Sequence, residues 1–264
     1  MYFIYGRKKL MKKRAMAAVS AVMCASMVLS ACGSSASTST TAAPAETKAA
    51  EETKAEETTA AAASGDVVTI NIGFENTTEE PIGQAVEKWA ELLKEESNGT
   101  MELKVFANSA LGNKSKLIDQ MVMGENVITI ADGAFYADYG VPDLGILYGP
   151  FFFDNWDEVW KLIDSDWYKE QCSKLADKGL TVLGSNWVYG ERELMTKDKA
   201  VVPADIKGKK IRLANSQIYV EGFNALGATA VPMALGDVYT ALQNGTLDGV
   251  ENPLSTLYGQ SFQE

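Results

Sequence analysis

Residues Lys207 to Pro253 run KGKKIRLANSQIYVEGFNALGATAVPMALGDVYTALQNGTLDGVENP, and their periodicity decides the fold class. Ile211 and Leu213 alternate with Lys210 and Arg212, which is strand spacing. Ile218, Phe223 and Leu226 fit a short helix closed by Gly227. Ala228 to Val231 is an apolar run stopped by Pro232. Val238, Ala241 and Leu242 line a second helix followed by Gly245, and Gly249 to Glu251 opens a third strand that Asn252-Pro253 ends. A βαβαβ unit of this kind gathers its loops at the carboxyl ends of parallel strands, where open α/β sheets bind ligands.

The same plan occurs earlier. Val68, Ile70 and Ile72 alternate as a strand. Pro81 opens a helix with a stripe of Ile82, Ala85, Val86, Trp89, Leu92 and Leu93, stopped by Asn98-Gly99. Met101, Leu103 and Val105 form a strand, Leu117, Ile118, Met121 and Val122 face one side of a helix stopped by Gly124, and Val127 to Ala131 is a short buried strand. Pro142, Gly145, Gly149 and Pro150 mark a loop-rich run, with helices expected over 156–163 and 167–176. Leu180 to Trp187 is a long strand candidate that carries the chain between units, and Arg192 to Met195 is another. The expected fold is α/β and two-lobed, a first lobe over 66–189 and a second over 190–264, with a ligand cleft between them.

Composition narrows the function. The chain has 264 residues and a net charge of -11, which argues against a nucleic-acid partner. It contains no histidine, which removes Ser-His-Asp and Cys-His mechanisms and most zinc sites. Outside the leader only Cys172 remains, so the body holds no internal disulfide and no cysteine metal cluster. Gly222 and Gly227 have phosphate-loop spacing, but Ala228-Thr229 follows where Lys-Ser/Thr is required. Nothing in the sequence asks for a cofactor or a metal.

Residues 1–32 have the form of a secretion signal. Arg7, Lys8, Lys9, Lys12, Lys13 and Arg14 make a basic start, and Ala15 to Leu29 an apolar core too short for a membrane span. Met11 is an alternative start. Leu29-Ser30-Ala31-Cys32 is similar to a bacterial lipobox, which implies cleavage before Cys32 and its lipidation; ordinary cleavage near Ala31 is the alternative. Residues 33–65 are Ser, Thr, Ala, Glu and Lys, a composition that forms no core and suits a tether.

Ile211-Arg212-Leu213, Ala225-Leu226-Gly227-Ala228, Pro232-Met233, Asp237 to Gln243, Asp248-Gly249 and Glu251-Asn252-Pro253 together resemble the solute-binding protein of a TRAP transporter, the DctP type. Asp143-Leu144, Pro150-Phe151, Lys178-Gly179-Leu180 and Leu183-Gly184 extend the resemblance back to about Val67. It implies a non-enzymatic receptor that closes on a small organic acid and hands it to membrane permease subunits. A sensor lobe serving a signalling receptor on the same fold is the alternative; a secreted hydrolase is disfavoured by the missing histidine and nucleophile elbow. Family members continue beyond Glu264, so a fragment is expected.

The resemblance also assigns residues. On alternation alone Arg212 lies opposite Ile211 and Leu213, a solvated arginine; the resemblance makes it the grip on the ligand carboxylate, a role suited to a planar guanidinium. Arg192 matches a second ligand-facing arginine, against a surface charge offset by Glu191 or Glu193. Asn252 matches an asparagine that also bonds the carboxylate, against a turn before Pro253. Leu235 falls where many relatives carry an aromatic, Asp132 aligns with a polar contact of the first lobe, and Glu75 and Asn76 follow the first strand toward the cleft. Val250, Glu191 and Leu235 depart from the usual pattern, so the sequence does not name the acid.

Overall fold

The structure, a computed structural model, describes residues 2–6 and 66–264. The strands are β1 (Tyr2–Gly6), β2 (Val68–Gly73), β3 (Met101–Phe106), β4 (Val127–Ala131), β5 (Leu180–Gly184), β6 (Glu193–Thr196), β7 (Lys210–Leu213), β8 (Thr229–Pro232) and β9 (Gly249–Asn252). The helices are α1 (Pro81–Glu96), α2 (Lys114–Val122), α3 (Gly133–Asp138), α4 (Trp156–Ile163), α5 (Asp166–Asp177), α6 (Gln217–Ala225), α7 (Val238–Gln243) and α8 (Leu254–Gly259). Short 3-10 turns cover Pro142–Tyr148, Pro203–Ile206 and Leu235–Asp237.

Among the described residues the strands form two sheets, ordered β3-β2-β4-β1-β5 and β6-β9-β7-β8. β2 pairs in parallel with β3 and β4, and β7 pairs in parallel with β8 and β9, so both expected βαβαβ units are present. β6 joins the second sheet antiparallel to β9. Tyr2–Gly6, inside the stretch read as a leader, lies antiparallel between β4 and β5. The rest of the signal reading, Cys32 and the tether over 33–65 lie outside the described residues.

Helix limits follow local chemistry. Pro81 starts α1, where a missing N–H costs nothing, and Asn98 (φ 51) and Gly99 (φ 76) end it in the left-handed region. Asn113, Asn155 and Ser165 cap α2, α4 and α5 by accepting from backbone N–H groups. Each sheet is flanked by apolar clusters. In the first, Ile72, Val86, Leu103 and Ile128 form one cluster and Leu117, Ile118, Met121, Leu144 and Leu175 another. In the second, Val238, Leu247, Val250 and Leu257 form one, and Ile206, Ile211, Leu213 and Tyr219 the other.

Three expectations need correction. The strand expected over Leu180 to Trp187 ends at Gly184; Trp187 and Tyr189 pack against the first sheet's core without pairing, with Trp187 edge-on to Trp89 at 6.2 Å. The loop-rich run marked by Pro142, Gly145, Gly149 and Pro150 is in large part a 3-10 turn over Pro142–Tyr148, and it follows α3, which Asp132 caps by accepting from Ala134 N–H. β7 is buried on both faces, so Arg212 is not solvated: it is 3% exposed, like Ile211 and Leu213 beside it. A strand between β9 and β8, covered on both sides, has no exposed face for alternation to report.

Leu117 is fully buried against both α2's neighbours and β4. Leu117→Ala should lower stability by about 2–5 kcal/mol, and Val201→Ala, at a position 72% exposed, by less than about 0.5 kcal/mol, in urea melts.

Candidate functional site

Gly190 has φ 131, and a Cβ there would sit 2.9 Å from the Pro253 Cβ. Only glycine lets this connector run against Pro253, and that approach brings Arg192 alongside Glu251 and Asn252 at the end of β9.

All three nitrogens of the Arg192 guanidinium donate to the end of β9. Its Nε and Nη2 donate to the two carboxylate oxygens of Glu251, the Nη2 bond at 2.6 Å, and Nη1 donates to Asn252 Oδ1 at 3.1 Å. Its guanidinium lies 5.5 Å from the Tyr148 ring centroid and 5.4 Å from that of Tyr219. Desolvation works against its charge, but Tyr148, Tyr219 and Glu251 more than offset it and hold its pKa well above the usual arginine value. The neutralising partner is therefore Glu251, not Glu191 or Glu193.

Arg212 is differently placed. Nε and Nη2 both donate to the Met233 carbonyl, at 2.9 and 2.6 Å, and among the described residues no carboxylate comes within ion-pair distance. Burial pulls its pKa below the usual value, while nearby Glu75 pulls it back up. Its Nη1 edge makes no hydrogen bond to the described residues. Asn252 presents its oxygen to Arg192, which leaves its NH2 end without a hydrogen bond among the described residues.

The remaining assigned residues tie the sheets together. Glu75 Oε1 accepts from Leu235 N–H at 3.3 Å, and Asn76 Nδ2 is within hydrogen-bond distance of Glu80, Tyr189 and Thr256. Asp132 Oδ2 accepts from the Tyr219 hydroxyl at 3.4 Å. The Leu235 side chain is 4% exposed and packs in the core with Val238 and Val250, so only its backbone faces Glu75.

A cavity of about 620 Å³ adjoins this cluster. Asp132, Arg192 and Glu251 line it with Tyr148 and Tyr219; Arg212, Asn252, Leu235, Glu75 and Asn76 do not. The structure thus brings Arg192, Asp132 and Asn252 around one centre, and sets Arg212, Glu75 and Leu235 in the adjoining seam. Sequence reasoning missed Glu251, Tyr148, Tyr189 and Tyr219. A glutamate in an otherwise small and apolar strand was a signal for Glu251, because a buried carboxylate needs a partner. Among the described residues no group of acidic or cysteine side chains could hold a metal ion.

Residues 72–264 match the family model for bacterial extracellular solute-binding proteins, family 7 (DctP). The chain belongs to that family. It is 30% identical over 184 residues to the C4-dicarboxylate-binding periplasmic protein of Rhodobacter capsulatus, covering 70% of this chain and 55% of that protein. It is 31% identical over 198 residues to the 2,3-diketo-L-gulonate-binding periplasmic protein of Escherichia coli (strain K12), covering 74% and 60%. A crystal structure of a TRAP periplasmic solute-binding protein from Ochrobacterium anthropi with bound L-fuconate superimposes with a TM-score of 0.72 at 42% identity, covering 75% of this chain and 65% of that one. The chain therefore spans about half to two thirds of the length of these relatives, and the two-lobed family 7 fold is the one found here.

Burial pushes the Tyr189 hydroxyl up to about 12, against bonds to Thr256 and Asn76 that pull it down. A tyrosine ionises near 10 when unfolded, so the fold favours its neutral form. That stabilisation is complete below pH 10 and is lost as pH rises toward 12. Urea midpoints should fall over this window, and Tyr189→Phe should make the fall shallower.

Proposed function

We propose that this chain is the extracytoplasmic receptor of a TRAP-type transporter and captures an organic acid anion for membrane permease subunits. One observation carries the reading: Arg212 is a cation 3% exposed, answered directly by a single backbone carbonyl. A buried cation with a free donor edge is costly until an anion meets it. A carboxylate can take two parallel charge-assisted bonds from such an edge. The NH2 end of Asn252 supplies a further donor. Arg192 holds Asn252 in that orientation, while Glu75, Asn76, Leu235 and Asp132 supply contacts from both sheets.

The mechanism is hinge closure of lobes 66–189 and 190–264 around the acid, the closed form being what the permease recognises. The reading includes the leader over 1–32, lipidation at Cys32 and the tether over 33–65, which together hold the body at the outer face of the membrane. Among the described residues no helix is long and apolar enough to cross a membrane. The family's solute-binding role supports receptor over enzyme.

Calorimetry with organic acids and their methyl esters tests this. The acid should bind and its ester should not. Arg212→Met should weaken acid binding by at least about 100-fold, about 3 kcal/mol, in a protein that still melts cooperatively. Unchanged affinity in Arg212→Met would remove the assignment.

A further inference from the structure

We propose that Gln260 is the residue that lets the two sheets close on each other, because it answers the buried carboxylate of Glu80 at a distance from any ligand. The inference rests on the hinge closure proposed above and assigns what holds it shut. Glu80 is 2% exposed, and among the described residues no lysine or arginine lies within ion-pair distance of it. Hydrogen bonds alone satisfy it. Its Oε2 accepts from Asn76 Nδ2 at 2.7 Å. Its Oε1 accepts from the Thr77 N–H at 3.1 Å and from Gln260 Nε2 at 2.7 Å.

The three donors do not move together. Asn76 and Thr77 share a loop with Glu80 ahead of α1, and Ile82 and Val86 anchor that helix in the core of the first sheet. Gln260 follows α8, 180 residues further along the chain. Leu257 and Phe262, on either side of it, pack with Val238, Leu247 and Val250 in the core of the second sheet. Separating the sheets therefore breaks the Gln260 bond and keeps the other two. Closing them strips water from a carboxylate and supplies one amide in exchange. Without that amide the closed form holds a charge short of a donor, while the open form keeps its water.

The chain makes room for this contact. A Cβ on Gly259 would meet Glu80 Cγ at 2.5 Å and Cδ at 3.0 Å, so α8 reaches the carboxylate because residue 259 has no side chain. The Thr256 hydroxyl, fully buried, accepts from Asn76 Nδ2 at 3.2 Å and donates to the Tyr189 hydroxyl at 2.7 Å, which brings the connector between the sheets into the same network. Glu80, Thr256 and Gln260 do not line the cavity, so they act on a ligand through closure alone.

Leu235 supplies the readout. Its N–H donates to Glu75 Oε1 across the seam at 3.3 Å, so its exchange with solvent reports opening. The test is amide exchange by NMR on the full chain, for wild type, Gln260→Ala, Glu80→Gln and the double variant, with the amides of β2 and β7 as references. Gln260→Ala should speed exchange at Leu235 about tenfold and leave the reference amides unchanged. In the Glu80→Gln background, where no charge awaits the amide, the same substitution should act less than about threefold. Gly259→Ala, which pushes α8 off the carboxylate, should also speed Leu235, and it replaces the double variant if Glu80→Gln does not fold. With L-fuconate as the probe, Gln260→Ala should shorten residence about tenfold at an unchanged association rate. An unchanged Leu235 rate or residence time in Gln260→Ala overturns the inference. So does an effect of equal size in the two backgrounds, or one shared by the reference amides. If L-fuconate does not bind the wild type, the exchange rates alone decide the inference, and carboxylate capture stands or falls separately on the acid and ester calorimetry.

Discussion

A guanidinium and a carboxylate locked face to face inside a protein form the constraint on which this structure depends. Burying Arg192 or Glu251 without the other would leave an uncompensated charge at a large cost in lost hydration. Joined, they fix the geometry of three segments distant in sequence. The connector at Gly190 must approach Pro253, β9 must present Glu251 and Asn252 beside it, and Tyr148 and Tyr219 must close over the guanidinium from either sheet. The second arginine is left in the opposite condition. Arg212 is as deeply buried as its apolar neighbours on β7, yet a carbonyl is its only direct protein acceptor among the described residues. Two arginines twenty residues apart thus serve different ends, one as a fixed part of the architecture and one as an open valence.

Most of the fold was legible because it is local. The alternation of Val68, Ile70 and Ile72, the stripe opened by Pro81 and the glycines at 99, 124, 227 and 245 each report on a few adjacent residues, and the observed elements follow them. What escaped was tertiary. Arg212 looked solvated because alternation presumes a strand with one wet face, and β7 has none. The expected strand over 180–187 overran because Trp187 is half-buried by packing against Trp89 and the first sheet's core, which pattern cannot tell from pairing. Helix α3 is six residues long, too short for a helical period to show. β1 lies inside the stretch whose basic residues and apolar run have the form of a leader, and no sequence pattern there pointed to a strand of the sheet.

The site divides in the same way. Short motifs singled out Arg212, Arg192 and Asn252, and the three are neighbours in the fold. Their partnerships could not be named. Arg192 meets Glu251 across 59 residues of chain, and Tyr219 meets Asp132 across 87. At Leu235 the side chain belongs to the core and the backbone N–H reaches Glu75, a division that no sequence position announces.

The two sheets touch through contacts of two kinds. Ala134 of α3 packs in one apolar cluster with Ile211, Leu213 and Tyr219 of the second sheet. Elsewhere the seam is polar: Glu75 to Leu235, Asn76 to Thr256, and Gln260 to Glu80. Water can take over each member of a hydrogen-bonded pair at a net cost of about 1 kcal/mol, whereas exposed apolar area has no such substitute. The polar contacts are a latch, released by hydration one bond at a time, and the apolar cluster is a pivot that stays dry. On the proposed hinge closure, opening would be a rotation about that axis rather than a separation, and a solute would enter as often as the latch lets go.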